Sequence, residues 1–146
     1  MPGGAIAVAS DHAGFDLKEI LKRDLQEAGH EVLDLGTNST VSVDYPDFGH
    51  AMADAIASGK AGRGVLVCGT GIGISIAANR NPKVRAALVH DVTSARLSRE
   101  HNDANVVAFG QRLIGFETAR DALKTFLATE FAGGRHIGRI AKLAKG

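Results

Sequence analysis

The chain has a single cysteine among its 146 residues, so it can neither close an intramolecular disulfide nor assemble a thiolate zinc cluster. A reducing, cytoplasmic setting is the natural expectation. An excess of charge is also missing, because 17 Lys and Arg stand against 16 Asp and Glu for a formal net charge of +1. The broad basic field used against nucleic acid or an anionic membrane is therefore absent, and any positive charge that matters must be local. There is no long hydrophobic run either. Nothing approaches the ~18 apolar residues of a membrane span, and the opening MPGGAIAVASDHAG has no basic segment leading into an apolar stretch. The expectation is a chain neither exported nor embedded, with no nucleic-acid and no membrane partner.

What is present is the composition of one ordinary domain spanning 1–146, with 45% hydrophobic residues available for a core. Short runs rich in Val, Ile, Leu and Ala alternate with longer segments of helical period. The runs are AIAVAS (5–10), EVLDLG (31–36), GVLVCG (64–69), VRAALV (84–89) and NVVAFG (105–110), each bounded by glycine or polar residues. Between them, Leu17, Ile20, Leu21, Leu25 and Ala28 share one helical face that Gly29 ends. Phe48, Met52, Ala55 and Ile56 do the same after Pro46, and Ala119, Ala122, Leu123, Phe126 and Leu127 mark the last long helix. The pattern predicts an α/β chain, a three-layer α/β/α Rossmann-like fold around a five-stranded parallel sheet.

In such sheets ligands bind at the carboxyl ends of the strands, which tells where to look for chemistry. Asp11 and His12 follow the first run, Cys68, Gly69, Thr70 and Gly71 the third, and His90 and Asp91 the fourth, while His101, Asn102 and Asp103 shortly precede the fifth. Convergence of several of these groups on one cleft is the expectation. Gly69, Gly71 and Gly73 let the backbone approach a ligand closely, and the helix that follows offers unpaired N–H groups to an anion. The loop is not a Walker loop, having no Lys after its last glycine, and Ile74 stands where the third glycine of a dinucleotide fingerprint belongs. Asp91 does lie about 20 residues on, as a ribose-binding acid would.

Cys68 has two readings: a small buried hydrophobe finishing a strand, or a thiol at a helix N-terminus, where the dipole and N–H groups favour thiolate. At the other end of the chain, GGRHIGRIAKLAKG places Arg135 and Arg139 on one face if the segment is helical, a pair of guanidinium forks suited to phosphate. The alternative there is a solvated basic tail. A set of carboxylates and imidazoles (Asp11, His12, His90, Asp91, His101) also keeps a metal-dependent isomerase or hydrolase in view. A noncatalytic nucleotide- or sugar-phosphate-binding module is the third class.

The segments SDHAGF, DYPD, CGTGIGISIAANR, LSREHNDANVVAFG and EFAGGRHIGRI, in this order from about Ala5 to Ile140, resemble the signatures of type B ribose-5-phosphate isomerases in the ribose and galactose isomerase family. The resemblance implies a cofactor-free, metal-free aldose–ketose isomerisation that interconverts ribose 5-phosphate and ribulose 5-phosphate through an enediolate. It makes Cys68 the base that moves a proton between C2 and C1, with Thr70 helping to position it, and His101 the acid/base that opens the furanose. Asp11 then orients substrate hydroxyls and assists opening, and Asn102 hydrogen-bonds the sugar. Gly69, Thr70, Gly71, Ile72 and Gly73 line the oxyanion, and Tyr45 is a cleft wall.

For the phosphate the resemblance nominates His12, Arg112, Arg135 and Arg139. It implies a homodimer or dimer of dimers with the cleft between subunits, residues 133–146 at the interface, and His101 and Asn102 or the C-terminal arginines lent by the partner. Some relatives carry serine for the cysteine and a glutamate in the glycine loop, whereas here Cys68 is present and Ile74 and Ser75 supply no acid. Substrates in the family include allose 6-phosphate, galactose 6-phosphate and some free sugars.

Overall fold

A computed structural model describes residues 4–145. Five strands, β1 (Ala5–Ser10), β2 (Val32–Asp34), β3 (Ala61–Cys68), β4 (Ala86–Leu88) and β5 (Val106–Gly110), form one sheet of order β2-β1-β3-β5-β4 in which every pairing is parallel. Around it lie α1 (Phe15–Glu27), α2 (Tyr45–Ala57), α3 (Ile72–Ala78), α4 (Val92–Asn102), α5 (Phe116–Ala128) and α6 (His136–Leu143). The expected Rossmann-like α/β/α fold is the observed one.

The central strands are covered on both faces, which is why they read as continuous apolar runs rather than as alternation. Successive side chains still point to opposite faces. Ile6, Val8, Val65, Val67, Val107 and Phe109 meet Leu17, Leu21 and Leu25 of α1 and Leu123 and Phe126 of α5. Ala7, Ala9, Leu66, Cys68 and Ala108 meet Met52 of α2 and Ile74 of α3 on the other face. Cys68 therefore belongs by alternation to the α2/α3 side.

The edge strands are shorter than their apolar runs. β2 keeps only Val32–Asp34 and β4 only Ala86–Leu88, each half-buried because one long side of the strand is unpaired. β3 is longer than its run and begins at Ala61. On α1, Ala28 lies beyond the helix as its exposed C-cap, and the apolar face instead buries a lysine completely. Lys18 Nζ donates to Asp34 Oδ1 at 2.9 Å and to the Thr37 carbonyl at 2.8 Å, and Glu19 Oε2 stands 3.1 Å away. This charge is taken out of water only because carboxylate and carbonyl partners replace the lost hydration. It ties the segment after β2 to α1.

Strand order reverses direction beside β1, which leads outward to β2 while β3 lies on its other side. The crevice this opens at the carboxyl ends of β1 and β3 is the standard ligand position in open α/β sheets.

Candidate active site

Asp11 and Cys68 sit on the two sides of that crevice, since Ser10 is in register with Val67. The Asp11 carboxylate is buried and caps a short 3-10 turn, His12–Gly14, accepting from Ala13 N at 3.0 Å and Gly14 N at 3.1 Å through Oδ1. His12, half-buried, accepts from Val43 N at 3.1 Å through Nδ1, so its other ring nitrogen carries any contact to a ligand.

The glycine loop turns on Gly71, whose φ of 77° is left-handed and whose Cβ, if present, would stand 2.6 Å from Leu88 Cδ1 and 2.9 Å from the Phe109 carbonyl carbon. Only glycine meets both conditions. This turn brings the Gly71 N–H back onto the buried Cys68 sulfur, donating at 3.1 Å. Thr70 Oγ1 accepts from Ile72 N at 3.2 Å. Two of the loop's N–H groups are thus engaged within the loop, and the sulfur's donor is Gly71 rather than the Thr70 hydroxyl.

Two more residues close around the loop. A Cβ on Gly73 would meet the Tyr45 ring at 2.5 Å, so Tyr45 lies directly on the start of α3. Arg112 donates from its backbone N to Gly69 O at 3.0 Å, and its side chain passes beside Gly69 and Ala13. Asp11, His12, Tyr45, Cys68 to Gly73 and Arg112 therefore gather at one place.

His101 and Asn102 do not join them. The chain leaves β4 at the carboxyl edge, caps α4 with Asp91, whose Oδ1 accepts from Ser94 N at 2.6 Å, and runs along α4 to the amino edge, where β5 begins at Val106. One chain thus brings several of the strand-end groups together and leaves His101 and Asn102 apart from them. Residues that precede a parallel strand lie at the opposite edge from those that follow one.

At that amino edge His101 and Asn102 line a cavity of about 280 Å³ with His136, Arg139, Ile140 and Leu143, since α6 packs on the end of α4. Arg135 is the N-cap residue of α6. The rings of His101 and His136 stack with centroids 4.6 Å apart and planes 17° from parallel. Burial pushes the His136 pKa down, and the positive neighbours Arg135, His101 and Arg139 add to it. Sequence reasoning singled out the arginines of RHIGR and passed over this histidine, although it stood between them. The signal was its place in the motif, and the stacking itself is a tertiary fact.

The residues of the metal alternative do not assemble: Asp91 is a helix cap, His90 is exposed, and His101 is at the far edge. Among the described residues no group of three or more His, Cys, Asp or Glu is arranged to hold a metal ion. Among the described residues no helix is long and apolar enough to cross a membrane.

Residues 6–143 match the family model described as Ribose/Galactose Isomerase. The chain belongs to this family. Among members of the ribose/galactose isomerase family, ribose-5-phosphate isomerase B of Escherichia coli is 46% identical over 135 residues, 92% of this chain and 91% of that protein. D-erythrulose-4-phosphate isomerase of Pectobacterium atrosepticum is 41% identical over 140 residues, 95% of this chain and 92% of that protein. The solved structure of a ribose 5-phosphate isomerase from Thermotoga maritima matches with a TM-score of 0.96 at 50% identity, covering 98% of this chain and 99% of that one. Family membership makes the chain an aldose–ketose isomerase of the type B kind and leaves the sugar to be decided.

Proposed function

We propose that the protein interconverts D-ribose 5-phosphate and D-ribulose 5-phosphate, without a cofactor, in active sites formed between subunits of a homodimer or dimer of dimers. The observation that carries this reading is the division of the candidate residues into two clusters at opposite edges of one sheet. One holds a buried sulfur under an N–H donor, a carboxylate and an exposed arginine. The other holds an imidazole pair, an amide and two arginines. Each is half of what an isomerase needs.

In this reading His101 of one subunit donates a proton to the ring oxygen while Asp11 of the other helps remove one from the anomeric hydroxyl, giving the open aldose. The Cys68 sulfur then takes the C2 proton, the electron pair forms the C1–C2 double bond, and negative charge moves to the carbonyl oxygen. Donors at the glycine loop stabilise that oxyanion, a role whose loss costs ~2.7–4 kcal/mol of barrier in other enzymes. Return of the proton to C1, with the hydroxyl proton passing between O2 and O1, leaves the ketose. Thr70 holds the loop in shape by accepting from Ile72 N, Asn102 bonds the sugar, and His12, Arg112, Arg135 and Arg139 hold the phosphate so that C1 and C2 lie over the sulfur.

The test is turnover of ribose 5-phosphate beside allose 6-phosphate, galactose 6-phosphate and erythrulose 4-phosphate, with chelator present and with Cys68→Ala as control. Chelator-resistant turnover fastest on ribose 5-phosphate, and lowered by ~100-fold or more in the variant with binding retained, is expected. Faster turnover of another sugar would move the assignment within the family, for which the relative acting on erythrulose 4-phosphate is the precedent. Near-normal turnover by Cys68→Ala would remove the thiol from the mechanism.

A further inference from the structure

A cavity of about 580 Å³ lies away from both clusters. It lies at the amino edge of the sheet, under the starts of β1 and β3 and between the ends of α1 and α5. Ile6, Leu25, Leu123, Leu127 and Phe131 give it an apolar wall. Its volume is in the range of small-molecule sites, which combine such walls with a few placed polar groups.

The charges on its lining are unequal in what they already do. Arg120 is bound bidentately to Asp24, with Nε and NH2 at 2.7 and 2.9 Å from its carboxylate oxygens. Arg99 is spent on Asp103 Oδ1 at 2.8 Å, Ala104 O at 2.7 Å and Thr129 O at 3.0 Å. Lys124 and Glu130 offset one another in sign at the exposed rim. Arg63 is left. Among the described residues its guanidinium makes one hydrogen bond, to the carbonyl of its neighbour Gly62 at 3.1 Å, and no carboxylate forms a salt bridge with it. It is half-buried, and burial first, then the positive charge of Arg99, holds its pKa below the usual arginine value. A cation in that position lowers its energy by taking an anion.

We infer that this cavity binds a small organic carboxylate, its charged end bidentate on Arg63 and its apolar body against Leu25, Leu123 and Leu127. Among the described residues Arg63 is the lining arginine with no salt-bridged carboxylate, and its single fork matches one carboxylate. A phosphate dianion would bring one charge more than Arg63 answers and would face Glu130. The apolar wall excludes a free sugar. The site is separate from the sulfur and from the His101 cavity, so it does not depend on the isomerase reading.

The test is an amide-resolved NMR titration of the intact protein with benzoate, using benzyl alcohol as the neutral control and acetate as the anion without an apolar body. Saturable shifts at Ile6, Leu127 and Phe131 at about millimolar benzoate are expected, with both controls weaker. Arg63→Gln should weaken benzoate by about tenfold or more, and Leu127→Trp, which fills the cavity, should abolish the shifts. Cys68→Ala should leave the benzoate shifts unchanged. The spectra report directly whether each variant is folded, and the two variants act by different means. Benzyl alcohol binding as tightly as benzoate, shifts centred on His12 and Arg139, or no saturable shift in the wild type would each overturn the inference.

Discussion

Two inactive variants mixed together provide the sharpest test of the divided site. Cys68 is paired with Gly110 at the end of β5, and Asn102 is three residues from Asn105, which immediately precedes that strand. The four steps from Val106 to Gly110 span about 13 Å at the usual rise of a parallel strand. Proton transfer needs heavy atoms about 3 Å apart. On that spacing, the proposed reading has the imidazole of one chain serve a sugar held over the sulfur of its partner. Cys68→Ala and His101→Asn should each be nearly inactive alone. Co-refolded in equal amounts, half of the dimers are mixed, and each mixed dimer has one site with both mutations and one with neither. Activity should recover to about a quarter of the wild-type value in a two-fold symmetric dimer. Isomerase turnover by a coupled ketose assay, with mass spectrometry confirming subunit exchange, reads this directly. Confirmed exchange with no recovery would show that each chain uses its own His101, or does not use it, and would refute the argument.

Other consequences concern the scaffold. Gly71→Ala meets a left-handed φ and contacts with Leu88 and the Phe109 carbonyl, so it should cost about 2–5 kcal/mol in urea denaturation and depress turnover by displacing the Gly71 N–H from the sulfur. A loss below 1 kcal/mol with unchanged turnover would count against that loop geometry. Lys18→Met leaves the Thr37 carbonyl without its donor and Asp34 with only Lys22 and the Gly36 N–H, a loss of about 3 kcal/mol measurable by the same titration. Burial acts to raise the Asp34 pKa, but Lys22, Lys18 and the Gly36 N–H together hold it below 3.8. Its stabilisation is therefore present above the unfolded pKa and is lost as pH falls through the lowered folded one. Melting temperature below about pH 4 should fall more steeply for the wild type than for Asp34→Asn. His136 acts in the same direction, although its deprotonated form is the neutral one. Its lowered pKa means that the unfolded chain binds the proton more readily, so stability rises with pH through the window just below 6.5, and His136→Gln should flatten that rise in thermal melts.

Much of this molecule was legible in its sequence. The central strands announced themselves because burial on both faces demands unbroken apolar runs, and helical periodicity located the buried faces of α1, α2 and α5. The glycine loop was equally plain, since a left-handed turn pressed against Leu88 and Phe109 tolerates no other residue. These are local constraints, written within one element or one turn. Which edge of the sheet each group occupies is a matter of strand order and chain direction. The position of His101 just before β5 already implied the amino edge, but only the assembled sheet sets Asn105 against Arg85 and carries α4 across to it. The stack of His101 on His136, the burial of Lys18 and the unpaired guanidinium of Arg63 depend on contacts between elements distant in sequence. No local period encodes them. The sequence by itself determined the elements and the chemistry they carry, and tertiary packing decided which of those groups meet, because propensity acts along the chain while burial and charge pairing act through space.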